Sequence, residues 1–197
     1  MKHAQHIVCV PAAVVEDRVA GWSKYQLQGS HIVTAQRAVL ESNDSYRQVL
    51  PLAVFKYKDS LWAYTRTPKG GEERLHNKVS VAVGGHFDCD DLITHDSVID
   101  PIDSLSNALD RELQEEVTIL SEYTVETLEV CLCADDTPVD RKHLGIVNIL
   151  HMQSGCEIYS NEDQLEAIGF VPIVDLLADP ALETWGVKIC EYLLEND

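Results

Sequence analysis

The chain has little positive charge. Its 197 residues carry 15 Lys and Arg against 33 Asp and Glu, a formal net charge of −18. Nucleic-acid backbones and anionic membrane surfaces are held by clustered Lys and Arg. A chain this acidic is therefore expected to bind neither polymeric nucleic acid nor membrane. A small phosphate-bearing substrate stays compatible if a bound cation offsets the repulsion. Long apolar runs are also missing, and no segment approaches the roughly 20 residues a membrane-spanning helix needs. The apolar stretch Ile7 to Val15 is interrupted by Pro11 and closed by Glu16-Asp17-Arg18. It reads as a buried strand and not as a secretory leader. The third absence is a Cys-x-x-Cys pair among the six cysteines, Cys9, Cys89, Cys131, Cys133, Cys156 and Cys190. Cys131 and Cys133 share one face of a strand-like run, which is not zinc-finger spacing. All six are expected to be reduced thiols, mostly small core residues, in a cytoplasmic protein. Internal repeats and low-complexity tracts are absent as well.

Apolar residues make up 45% of the chain, enough for a single globular domain over residues 1–197. Residues 1–48 form an N-terminal extension whose mixed signals give no clear elements. From there the pattern sharpens. Leu50 to Tyr57 and Ser60 to Arg66 read as strands joined at Lys58-Asp59. Val79 to Val83 reads as a strand ending at Gly84-Gly85. Val125 to Cys133, Leu144 to Met152 and Ile168 to Val171 read as further strands, and Pro172 to Leu177 and Thr184 to Leu194 as closing helices. Between them, Ser104 to Val117 reads as an amphipathic helix. Leu105, Leu109, Leu113 and Val117 recur every four residues, and Asp103 or Ser104 can cap the start. Strands on both sides of one central helix give an α/β class with a mixed sheet.

Chemistry concentrates in Arg111-Glu112-Leu113-Gln114-Glu115-Glu116. On a helix, Glu112, Glu115 and Glu116 fall at i, i+3 and i+4 and share a face beside the apolar stripe. Like charges at that spacing repel, and a hard divalent cation removes the penalty. A Glu-rich face is by itself also what a solvated helix surface looks like.

The segment resembles the Nudix box, G-x5-E-x7-R-E-U-x-E-E-x-G-U, with U a bulky aliphatic residue. Arg111, Glu112, Leu113, Glu115 and Glu116 match R-E-U-x-E-E, and Ile119 matches the last aliphatic position. Gly85 matches the leading glycine and Asp103 the first acid. Seventeen residues then separate Gly85 from Asp103 where the pattern has five. His86 to Ile102 would be an enlarged loop covering or flanking the site. Thr118 stands at the second glycine, which in the family ends the helix in a left-handed conformation. The segment Arg66 to Leu75, His143-Leu144-Gly145-Ile146-Val147 and Leu182-Glu183-Thr184-Trp185 resemble a Nudix subgroup of predicted phosphoesterases.

The resemblance implies a Nudix-type α/β/α sandwich and divalent-metal-dependent hydrolysis of a phosphoanhydride in a small nucleoside diphosphate-linked substrate. It implies that Glu112, Glu115, Glu116 and the carbonyl of Gly85 bind Mg²⁺ or Mn²⁺. Arg111 would orient Glu112 through a charge-assisted bond, with Asp103 bracing Arg111. Glu162 would be the distant acid that completes the catalytic set, or a solvated loop carboxylate. Arg66, Arg74, His86 and His143 are candidates for the substrate phosphates, or surface and packing residues. Cys89 sits among Asp88, Asp90 and Asp91, a poor setting for a reactive thiolate, which disfavours the isomerases that share the fold. The non-enzymatic alternative is a ligand-sensing or interaction domain, which typically loses box carboxylates that this chain retains. A homodimer is admitted by the sequence without being specified, as is the choice of diphosphate.

Overall fold

The computed structural model describes residues 5–15, 17–67, 77–153, 157–163 and 165–196. Arg74 and Cys156 lie outside the described residues. The chain divides into two compact units. One comprises residues 1–52, 84–112 and 127–147, the other 53–83, 113–126 and 148–197. The class is mixed α/β, as expected, with one large sheet and helices.

In the first unit, the N-terminal segment that gave no clear pattern holds a strand whose four central residues, Ile7 to Val10, are buried. His6–Pro11 pairs antiparallel with Val33–Gln36 and with the start of Tyr46–Tyr57. Val8, Val10, Val49, Phe87, Ala108, Cys131, Cys133 and Leu144 form its core. Burying each large side chain of this kind contributes about 1.5–3 kcal/mol. Gly84 has φ +151°, and a Cβ there would lie 2.1 Å from the Pro51 carbonyl oxygen, so only glycine fits.

Residues 86–102 are more structured than a loop. Cys89–Asp91 forms a 3₁₀ turn, and Ile93–His95 pairs with Val98–Asp100. The hairpin turn Asp96-Ser97 has positive φ at both residues, 50° and 66°. That two-residue geometry matches the right-handed twist of the strands.

The central helix is Pro101–Glu116, three residues earlier in its start than the sequence pattern suggested. The cap is Asp100, not Asp103 or Ser104. Asp100 Oδ1 accepts from the amides of Ile102 at 2.9 Å and Asp103 at 3.0 Å. Pro101 takes the first helical position, where its fixed φ costs nothing. Buried Ser104 ties this start to the hairpin: its Oγ accepts from the Ile93 amide at 2.8 Å and donates to the Asp100 carbonyl.

In the second unit, Ser60–Arg66 has the bounds expected and pairs antiparallel with Leu165–Pro172. Its turn at Lys58 takes φ 53°. The expected strand Val79 to Val83 is two short ones, Val79–Ser80 and Val83–Gly84. Phe55, Trp62 and Tyr64 are buried here and pack ring on ring, at centroid distances of 5.8 and 5.5 Å. The last helices are Ile173–Ala178 and Thr184–Asn196, with Ile173, Leu176, Ile189, Cys190 and Leu193 buried.

The described cysteines, Cys9, Cys89, Cys131, Cys133 and Cys190, are free thiols. Among the described residues, no helix is long and apolar enough to cross a membrane.

Candidate active site

The first unit builds a clamp around Arg111. Its Nε donates to Asp91 Oδ1 at 2.9 Å and its Nη2 to Asp91 Oδ2 at 2.8 Å. The same guanidinium donates through Nη1 to Glu112 Oε1 at 2.8 Å and through Nη2 to the His86 carbonyl at 2.9 Å. Asp91 is 4% exposed and Glu112 7% exposed, so the pairing is largely shielded from water. Hydrogen bonding to Asp91 raises the Arg111 pKa further above its already high value, and Glu112 adds to it. The guanidinium is therefore fixed in both charge and orientation.

This corrects the assignment of Asp103. The acid bracing Arg111 is Asp91, whose Oδ2 also accepts from the Asp88 amide at 3.0 Å. Asp103 lies on the first helical turn and bonds His95 Nε2 at 2.9 Å, on the exposed surface. Asp91 follows Gly85 after five residues, the box spacing, and the extra residues fall between Asp91 and Arg111. The sequence signal was present. Asp103 masked it by standing before Arg111 with seven residues between them, the spacing of the box.

Gly85 abuts the other side of the Glu112 carboxylate. A Cβ at Gly85 would meet Glu112 Oε2 at 2.5 Å, with Cδ and Oε1 both at 2.7 Å. Next along, His86 Nε2 bonds Oε1 of buried Gln48 at 2.9 Å. The His86 and His143 rings meet edge to face with centroids 5.8 Å apart. His143 Nδ1 donates to the Val139 carbonyl at 2.8 Å, which leaves Nε2 to accept in the neutral ring. The two candidate histidines are thus neighbours, and Gln48 escapes sequence reasoning because a glutamine in a polar stretch carries no local signal.

The helix runs on through Glu115 and Glu116. Glu115 is exposed and Glu116 half-buried, so of the three carboxylates only Glu112 is withdrawn from solvent. No basic residue stands in the last turn. Two carboxylates at the negative end of the helix dipole make a place that favours a cation.

The chain then enters the strand Val117–Ile119, which pairs with Ile158–Ser160. Thr118 is extended there, so the left-handed glycine of the resemblance is not needed. The free carbonyls are met from a distant loop instead. Asn161 donates its amide to Glu116 O at 2.8 Å and its Nδ2 to Gln114 O at 3.2 Å. Glu162 follows directly. Its Oε2 is buried with no hydrogen-bond partner, a costly state for a carboxylate oxygen without a cation or donor.

Tyr64 adds a third group in the second unit. Its hydroxyl donates to the Ala82 carbonyl at 2.7 Å and accepts from Arg66 Nη2 at 3.1 Å. Burial pushes its pKa up to about 12; Arg66 opposes this, and Glu183 and Glu116 add to it. Arg66 also lies over the Tyr64 ring, 5.5 Å from the centroid. Buried Ser80 donates to Glu183 Oε1, which places the Leu182-Glu183-Thr184-Trp185 motif beside Tyr64.

Among the described residues, the ligand atoms that gather in a group of three within 4.8 Å are those of His95, Asp100 and Asp103.

No model of a known protein family matches the chain. Protein YmaB of Bacillus subtilis (strain 168) is 30% identical over 166 residues, covering 80% of this chain and 76% of YmaB. Among solved structures, Tm1382, a candidate Nudix hydrolase, aligns with a TM-score of 0.75 and 20% identity over 97% of this chain and 99% of its own. DR0079 from Deinococcus radiodurans aligns at 0.51 and 15% identity, covering 95% of this chain and 98% of its own. A bifunctional NMN adenylyltransferase/ADP ribose pyrophosphatase from Francisella tularensis aligns at 0.50 and 18% identity over 81% of this chain and 44% of its own. The chain is therefore a Nudix-fold protein of the family to which YmaB belongs.

Proposed function

We propose that this protein is a divalent-metal-dependent hydrolase that cleaves a phosphoanhydride bond in a small nucleoside diphosphate-linked substrate in the cytoplasm. The observation that carries the reading is the Arg111 clamp, which presses the Glu112 carboxylate against Gly85 on the helix that also bears Glu115 and Glu116.

The donor set fits Mg²⁺ or Mn²⁺. Carboxylate and carbonyl oxygens are the ligands of hard divalent cations, and the unpartnered Glu162 Oε2 is an oxygen in need of a positive partner. Glu112, Glu115, Glu116 and the Gly85 carbonyl would hold the ion. When bound, it supplies Lewis acidity and a lowered pKa for water. Arg111 keeps Glu112 in one rotamer, so the carboxylate needs no rearrangement to act. Glu162 accepts a proton from the attacking water. Arg66, Arg74, His86 and His143 contact the diphosphate; Arg66 is pre-set by Tyr64, and His143 by its bond to Val139. With a net charge of −18, the protein draws substrate as its metal complex and not as a bare anion.

The test is phosphate or nucleotide release from ADP-ribose, nucleoside triphosphates, dinucleoside polyphosphates and coenzyme-type diphosphates, with Mg²⁺, Mn²⁺ or EDTA. Metal-dependent turnover of at least one of these compounds is expected. No turnover of any of them with either metal would overturn the reading.

A further inference from the structure

Beyond the strand pairing of Val117–Ile119 with Ile158–Ser160, a side-chain pair fastens the Glu162 loop to the end of the carboxylate helix. Thr118 Oγ1 donates to Asn161 Oδ1 at 2.6 Å. The side-chain Nδ2 and the backbone amide of Asn161 donate to the helix carbonyls of Gln114 and Glu116, at 3.2 and 2.8 Å. The amide group is thus used at both ends, its oxygen toward the strand and its nitrogen toward the helix. Behind it the loop is closed on itself. Ser160 Oγ donates to the Glu162 carbonyl at 2.9 Å and accepts from the Glu162 amide at 3.2 Å. The Leu165 amide donates to the Glu162 carbonyl at 3.1 Å. The Glu162 backbone therefore has little freedom relative to the last turn, and its buried Oε2 is left unpartnered in that setting.

We propose that Thr118 and Asn161 are positioning residues, a latch that holds the Glu162 carboxylate in register with Glu115 and Glu116. The inference rests on the hydrolase reading above for the role of Glu162, but the latch has a readout of its own. A residue that merely capped the helix would use its N–H groups alone. The Thr118 hydroxyl instead fixes the Asn161 side chain from the opposite side. A glycine at 118 would supply no such donor.

The experiment compares wild type with Thr118→Val, Thr118→Ser and Asn161→Ala, each also combined with Glu162→Gln. Valine keeps the β-branched shape suited to an exposed strand position, so folding is retained while the donor is lost. Two quantities are read, turnover on the best diphosphate and Mn²⁺ affinity by titration calorimetry without substrate. Thr118→Val is expected to lower kcat about tenfold with KM within about twofold, the size expected for loss of one well-placed hydrogen bond. Thr118→Ser keeps wild-type kcat. In the Glu162→Gln background Thr118→Val costs almost nothing more, because the positioned group is already gone. Mn²⁺ affinity falls about threefold or more in Thr118→Val and Asn161→Ala. Turnover that is insensitive to Thr118→Val, or additive with Glu162→Gln, overturns the latch and leaves the hydrolase reading standing. If the wild type turns over nothing, the hydrolase reading falls. The Mn²⁺ titration then decides the latch alone, and unchanged affinity overturns it.

Discussion

Replacing Asp91 by Asn separates two accounts of what braces Arg111. The side chains of Asp91 and Arg111 are 6% and 27% exposed, and two charge-assisted bonds join them. Breaking a fully buried pair by removing one partner costs about 3–5 kcal/mol. Arg111 is a quarter exposed and keeps Glu112 and the His86 carbonyl, so the cost here is nearer 2–3 kcal/mol. Asn retains one acceptor for Nε but removes the charge. In a chain of this length each kcal/mol moves Tm by about 2–4 °C, so a fall of roughly 5–10 °C is expected in a thermal melt. Asp103→Asn is the matched control. Its side chain is 55% exposed and bonds the exposed His95. Surface pairs and first-turn carboxylates are each worth about 1 kcal/mol or less, so losing either shifts Tm by roughly 4 °C at most. Equal losses, or a larger loss from Asp103→Asn, would refute Asp91 as the brace.

Gly85→Ala drives a Cβ into the Glu112 carboxylate, which can swing away at modest cost. Melting should fall by only a few degrees while metal-dependent turnover drops more than tenfold, a pairing read from melts and kinetics on one preparation. Ser97→Gly relieves a left-handed residue in the Asp96-Ser97 turn and should stabilise by about 1 kcal/mol, seen as a small rise in Tm; a fall would contradict the turn geometry. The His95 pKa is raised by its hydrogen bond to Asp103. A raised folded value means this bond favours folding fully below the unfolded pKa and loses that effect as pH climbs through the folded one. NMR titration should place His95 above an ordinary histidine, and Asp103→Asn should return it.

The parts of the fold legible in the sequence were those whose cause is local. Ser60–Arg66 is a short run rich in apolar and aromatic residues that starts at a tight turn, and its bounds match the sequence expectation. The central helix was visible in its four-residue apolar recurrence, but its start was misplaced. Asp100-Pro101 is the local start signal, a cap followed by proline at the first helical position, three residues ahead of the start that the apolar recurrence suggests. What stayed hidden depends on partners far along the chain. His6–Pro11 is a strand because Val33–Gln36 and Tyr46 to Gln48 pair with it, and neither is near in sequence. Asp91 and Asp103 are equally plausible by spacing, one counted from Gly85 and the other from Arg111, and only tertiary packing decides between them. Thr118 seemed a poor helix exit because a local glycine was expected. The donors come instead from Asn161, 47 positions beyond Gln114.

The central claim is that the Pro101–Glu116 helix is a metal-binding catalytic element, and Glu116→Gln tests it most directly. The substitution keeps the side-chain shape and removes one anionic ligand from a crowded face. Turnover on the best diphosphate should fall by at least about a hundredfold with Mg²⁺. Without metal the variant should melt at or slightly above wild type, and the Mg²⁺-induced rise in Tm should shrink. Unchanged turnover in Glu116→Gln, with the same response to Mg²⁺ in both proteins, would contradict it.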